Sequence, residues 1–189
     1  MSAKLSESDR TYLLRLARES IASRLDGHTL PEPKMDQLSP ELIAIGASFV
    51  TLTIHGSLRG CIGSLEAHQP LVLDVREHAI EAAFEDYRFR PLTHDELKIV
   101  KIEISRLTAP VPLFYSNPAD LPGSLRPGID GVILKDGYRR ATFLPQVWEQ
   151  LPDAQEFLTH LCAKMGAAAD LWRKKVLEVS TYQVEEFHE

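Results

Sequence analysis

Apolar positions recur every three or four residues through SESDRTYLLRLARESIASRLDG, where Leu14, Ala17, Ile21 and Leu25 fall on one stripe. That period predicts a first helix. Ser6 and Asp9 have the spacing of a capping box, and Gly27 is a fitting stop. The period changes to two at Val50, Leu52 and Ile54, which alternate with Thr51 and Thr53 as in a half-buried strand. His55-Gly56 reads as a two-residue turn leading into SLRGCIG. This hairpin would set Cys61 opposite Val50 and Arg59 opposite Leu52, and a slip of one residue would reverse the facing of both.

Pro70 opens a second helical pattern, with Leu71, Val75, Ala79 and Ala83 as its buried stripe. KIVKIEISRL predicts a strand with Val100, Ile102 and Ile104 on one face. A long Pro/Gly-rich loop covers residues 108–128. Asp136-Gly137, between two β-prone runs, predicts a type I′ hairpin. DAQEFLTHLCAKMG predicts a helix with Asp153 as its cap, Glu156 at the capping-box position and Gly166 as its stop. Cys162 lies beside Leu158 and Leu161 in that helix and is expected in the core. KKVLEVSTYQVEEF closes the chain as a strand. Helices and hairpins mix without regular βα alternation, which favours an α+β fold, with largely antiparallel sheets and flanking helices.

The 189 residues suit one domain, or one body with two lobes. A net charge of −6 disfavours nucleic acid, whose affinity comes mainly from Lys and Arg contacts. The densest basic clusters, Arg173–Lys175 and Arg139–Arg140, read as solvated faces. No apolar run approaches the roughly 18 residues of a membrane span. Two cysteines without CxxC or zinc-finger spacing suggest free thiols in a reducing, cytoplasmic setting. GxGxxG, P-loop and CxxxCxxC patterns are missing, so no cofactor is expected by those routes.

Candidate chemistry centres on LRGCIG. Cys61 stands between Gly60 and Gly63, which would let a ligand approach the backbone closely; a β-bulge or tight strand exit is the plainer account of the glycines. A reactive thiol needs a nearby cation or helix N-terminus. Arg59, two residues away, would face the same side, and the helix after EAHQPL would offer its dipole. Burial opposite Val50 is the competing reading, because free cysteine packs as a small apolar residue. Glu66 is a candidate acid/base or substrate-orienting group, or a carboxylate favoured by the helix N-terminus. Asp130 is either a turn residue or a polar lip for a ligand, and Gln146 either a surface cap or an amide that a ligand would satisfy. His55, Cys61, Glu66 and His68 lie close in sequence, but their spacings match no standard metal pattern, so no metal is expected.

GASFVTLTIHGSLRGCIGSLE, AAFEDYRFRPLTHDEL, VKIEIS, GIDGVIL and FLPQVWEQLPDAQEFLTHLCAKMG, in that order, resemble the AMMECR1 domain family. Its bacterial and archaeal members are called AmmeMemoRadiSam system protein A. The resemblance runs from about residue 10 to residue 187, nearly the whole chain. It implies a single α+β domain over residues 1–189, built as two unequal lobes with a cleft beside the RGCIG segment. The resemblance fixes the fold better than the function, and two functional classes stay open. One is an enzyme or ligand-binding protein that acts on a small molecule or protein through Cys61. The other is a non-catalytic accessory or scaffold working with a Memo-type protein and a radical SAM protein. Tyr87 departs from the family pattern, which commonly has proline there.

Overall fold

The computed structural model describes residues 4–189. They form two compact units, one running to Thr108 and taking back Glu185–Glu189, the other comprising Ala109–Val184.

The first unit opens with α1 (Glu7–Leu25), where the Ser6–Asp9 capping box forms as expected. Its buried side is Leu13, Leu16, Ala17, Ser20 and Ile21. The predicted stripe is therefore rotated: Ala17 and Ile21 are in the core, while Leu14 and Leu25 are half-buried at its margin. A short 3-10 turn, Met35–Gln37, and α2 (Pro40–Ile43) interrupt the polar loop expected here. Then come β1 (Ile45–Ile54), β2 (Ser57–Gly63), β3 (Gln69–Pro70), α3 (Leu71–Phe84), α4 (His94–Leu97) and β4 (Lys101–Leu107).

The second unit holds β5 (Val111–Pro112), α5 (Leu121–Ser124), β6 (Gly131–Asp136), β7 (Arg139–Phe143), α6 (Ala154–Lys164), α7 (Leu171–Lys174) and β8 (Glu178–Tyr182). Its sheet has the order β5-β8-β6-β7. Trp148 stacks on Phe157 at 3.7 Å between ring centres, and Leu158, Leu161 and Cys162 pack into the same core. Cys162 is thus buried as expected, and burial pushes its thiol pKa up. The last strand, β9 (Val184–His188), rejoins the first sheet. The closing segment is therefore two strands in two sheets, divided at Gln183.

In the first unit the sheet order is β2-β1-β4-β9, with β3 paired to the start of β1. Val50, Leu52, Ile102 and Ile104 share the core with Leu13 and Ile21 of α1 and Leu71, Val75 and Ala79 of α3. The helices therefore cover the face built from even-numbered residues of β1 and β4. The other face carries Thr51, Thr53, Lys101 and Glu103. This is an α+β architecture with antiparallel sheets. Among the described residues no helix is long and apolar enough to cross a membrane.

Two hairpins differ in detail from their sequence readings. His55-Gly56 is the β1–β2 turn, with φ of 51° and 78°, so both central residues have the positive φ a type I′ turn needs. The strands it joins are out of the expected register: Cys61 pairs with Thr51, and Ile62 with Val50. In the β6–β7 hairpin, Asp136 pairs with Arg139, so the loop is Gly137-Tyr138 and only Gly137, at φ 60°, is left-handed. Asp136 is held in the ladder, with its carboxylate taking a hydrogen bond from Lys175 Nζ at 2.6 Å.

Candidate functional site

Strand β2 is an edge of the first sheet, and its register explains where the thiol goes. Leu52 pairs with Gly60 but Thr53 pairs with Leu58, so Arg59 is the unpaired residue of a β-bulge. The bulge shifts the remaining residues of β2 by one position. Cys61 thereby joins the face of Thr51 and Glu103, away from the helices, and is half-buried there. Thr51 Oγ1 donates to Cys61 Sγ at 3.4 Å. Burial opposite Val50 is corrected: that place belongs to Ile62.

The bulge also re-aims Arg59. Its guanidinium meets Glu96 bidentately, Nε to Oε1 at 2.8 Å and Nη2 to Oε2 at 3.0 Å, and donates to the Arg90 carbonyl at 2.8 Å. Glu96 also accepts from the Thr93 N–H in the capping box that starts α4. Arg59 above all, with Thr93, lowers the Glu96 pKa to about 2. Arg59 is thus a brace between β2 and α4, and the simple expectation that it faces the same side as the thiol gives way to the bulge.

The groups that grip Cys61 come from the exit of α3. The Cys61 N–H donates to Asp86 Oδ2 at 2.9 Å, and Arg88 Nη2 donates to the Cys61 carbonyl at 3.2 Å. Arg88 closes the pair by donating to Asp86 through Nε at 2.9 Å, Nη2 at 2.6 Å and its own N–H at 3.2 Å. Asp86 is only 4% exposed. Arg88 foremost, then the Cys61 and Arg88 N–H groups, hold its carboxyl well below the usual carboxylate range. The pair satisfies an edge strand as a neighbouring strand would, with one acceptor and one donor. Tyr87, between the two, is exposed.

Both glycines have an internal use. A Cβ on Gly60 would overlap the Ala82 carbonyl oxygen of α3, and one on Gly63 would overlap the Phe49 ring and the Ser48 carbonyl. They let the sheet approach the helix and turn out of the strand. Gly60 also locates the helix dipole. It sits by Ala82, near the C-terminal end of α3, whereas the first N–H of that helix, at Leu71, bonds to Ala44 O. The α3 N-terminus is accordingly not at Cys61, and the cation bonded to that residue is Arg88, at its carbonyl.

The remaining candidates are more scattered. Glu66 lies in the exposed turn after β2, where its N–H bonds to Ser64 Oγ and its carbonyl accepts from the same hydroxyl. His68 is in that turn and His55 in the hairpin, both exposed. Asp130 belongs to the second unit and is buried. Its carboxylate takes Arg126 Nη2 at 2.6 Å, and its carbonyl takes Trp148 Nε1 at 2.7 Å. Gln146 is exposed in the 3-10 turn Pro145–Glu149, so no buried amide there awaits a partner.

Across the face turned away from the helices, the row that begins with Cys61 and Thr51 continues to Glu103 and its hydrogen-bonded neighbour Glu186 on β9. Burial first, then the Glu186 hydrogen bond and charge, push the Glu103 pKa up to about 7. Sequence reading missed Asp86, Arg88, Glu96 and this pair. Thr93 and Glu96 carry a capping-box spacing that was readable, whereas the return of Asp86 to Cys61, 25 residues earlier, is a tertiary fact.

A family model, AMMECR1, matches residues 14–187. The chain belongs to the AMMECR1 family. It is 38% identical over 191 residues to a protein of Methanothermobacter thermautotrophicus, covering 99% of this chain and 97% of that one. It is 39% identical to protein Mbar_A1807 of Methanosarcina barkeri, covering 98% and 92%. Among solved structures it resembles the uncharacterized protein PH0010 of Pyrococcus horikoshii, with TM-score 0.78 and 34% identity over 94% of this chain and 90% of that one. In this AMMECR1 chain the RGCIG segment is the edge strand gripped by Asp86 and Arg88.

Proposed function

We propose that this AMMECR1-family protein is a thiol-dependent catalyst, acting on an electrophilic group of a small molecule or protein at the half-buried Cys61 on the edge strand of the first sheet. Cys61 is the nucleophile. The observation that carries this reading is the fixing of Cys61 on both main-chain sides by the buried Asp86 and by Arg88, while its side chain stays half-buried beside the Thr51 hydroxyl. A nucleophile gains from a backbone that holds it in one geometry. In the reaction the sulfur lone pair forms a C–S bond to the electrophilic carbon, the thiol proton passes to solvent, and the bond to the leaving group breaks with its electrons. Arg88 supplies positive charge at the Cys61 carbonyl, and Arg59 braces the strand through Glu96.

The test is alkylation of the native chain by iodoacetamide at neutral pH, with the site located by peptide mapping. Cys61 is expected to react in the folded state, and Cys162 only after unfolding. A Cys61 that stays inert until the chain unfolds overturns the nucleophile role, and the non-catalytic accessory role beside Memo-type and radical SAM partners then becomes the better account.

A further inference from the structure

Two guanidiniums come to the strand that carries the thiol, Arg59 from the β2 bulge and Arg88 from the segment after α3. The Phe89 ring is near both, its centre 5.8 Å from the Arg59 guanidinium carbon and 5.5 Å from that of Arg88. Two carboxylates oppose them, and their placement matters more than their number. Glu96 takes the Arg59 fork on two atoms. Asp86 is buried and already accepts from the Cys61 N–H and from three N–H groups of Arg88, so its charge is turned inward. The Arg88 side chain keeps 44% of its surface exposed. Its Nε and Nη2 are bonded to Asp86, and Nη2 also to the Cys61 carbonyl. The carboxylate of the pair is therefore buried while its guanidinium is partly exposed, next to the Cys61 carbonyl.

We infer that the substrate taken by Cys61 carries an anionic group next to its electrophilic carbon, and that Arg88 reads that charge. This rests on the nucleophile reading above and adds the substrate class to it. The guanidinium is kept charged first by its hydrogen bond to Asp86, and Cys61 is among the groups that favour its charged form. A carboxylate and a guanidinium about 6 Å apart in a wet site attract enough to change a rate roughly three- to tenfold.

The test compares two alkylating reagents that differ in charge alone, iodoacetate and iodoacetamide, on the full chain, with modification of Cys61 followed by mass spectrometry. The rate ratio of iodoacetate to iodoacetamide is expected to be roughly three- to tenfold higher in the native protein than in the urea-unfolded chain. Arg88→Gln should bring that ratio down to the unfolded value, and Arg88→Lys should restore much of it. A loosened backbone would slow both reagents alike and leave the ratio alone. In wild type, 1 M sodium chloride, where the screening length falls to about 3 Å, should collapse the ratio without any substitution. Equal ratios in wild type and Arg88→Gln, or a wild-type ratio indifferent to salt, overturn the inference while leaving a reactive thiol standing. A native thiol that reacts with neither reagent removes the nucleophile reading, and this inference with it.

Discussion

Asp86→Ala is the sharpest perturbation of the site. The carboxylate is 4% exposed and accepts four hydrogen bonds, one from Cys61 and three from Arg88. Removing one member of a buried ion pair costs about 3–5 kcal/mol when the partner is left unpaired in the interior. Here the partner side chain is 44% exposed, so water recovers much of its charge. The Cys61 N–H at a sheet edge adds about 1 kcal/mol as an unsatisfied donor. The expected loss is therefore about 3 kcal/mol, at the lower end for a buried pair. Urea unfolding followed by far-UV circular dichroism reads it. Tryptophan fluorescence does not, because Trp148 and Trp172 both lie in the second unit. The sign of the pH dependence follows from the lowered carboxyl pKa. The contribution is complete above the unfolded value, about 3.9, and disappears as pH falls through the folded value, so wild type and variant converge in acid. A loss below about 1 kcal/mol at pH 7 would show that the carboxylate is a surface ion pair without leverage on the strand.

Gly60→Ala should cost about 2–3 kcal/mol in the same unfolding assay, because its Cβ would overlap the Ala82 carbonyl and only backbone movement can relieve it. A cost within about 0.5 kcal/mol, as for an ordinary surface site, would show the helix and strand to be further apart. Glu103 has its pKa raised to about 7, so the folded state holds a proton that the unfolded state releases from about 4.5 upward. Stability should therefore fall by about 1 kcal/mol between pH 5 and pH 8, after discounting for solvent, and Glu103→Gln should flatten that slope in melting temperature. His78 lies 3.2 Å from the fully buried Asp74, and although desolvation acts against it most strongly, the Asp74 hydrogen bond and the charges of Asp74, Glu81 and Glu77 together raise its pKa. Its contribution should be present below about 6.5 and fade as pH rises through the folded value, and a ring titration by NMR with a midpoint at or below 6.5 would contradict this.

What the chain reveals locally, it reveals well. The Ser6 and Asp153 caps, the His55-Gly56 turn and the Leu71–Ala83 stripe are written in neighbouring residues, and each forms. The misreadings arise where one residue of pairing decides the outcome. The β-bulge that the glycines suggested does form, but its extra residue is Arg59, a place set from outside the strand by Glu96 and the Arg90 carbonyl. One extra residue moved Cys61 to the other face. The glycines were legible as close-approach positions, but what approaches is α3 at Gly60 and β1 at Gly63. Glu103 and Glu186 stand far apart in the chain, and no local pattern pairs them.

An edge strand exposes a line of donors and acceptors that invites another strand to add, and proteins must close it. Here the closure at Cys61 is an ion pair, and this choice has chemical consequences that a covering loop would lack. Arg88, four residues beyond the end of α3, brings a positive charge to the Cys61 main chain, and Asp86 fixes where it points. The same two side chains therefore terminate the sheet, fix the main chain of the nucleophile and set the sign of the charge around it. Stability and reactivity should be coupled through them. Arg88→Gln, which removes the charge as well as the fork, should lose strand order and charge selectivity together, whereas Arg88→Lys, which keeps the charge but not the fork, should separate the two by retaining selectivity on a looser strand.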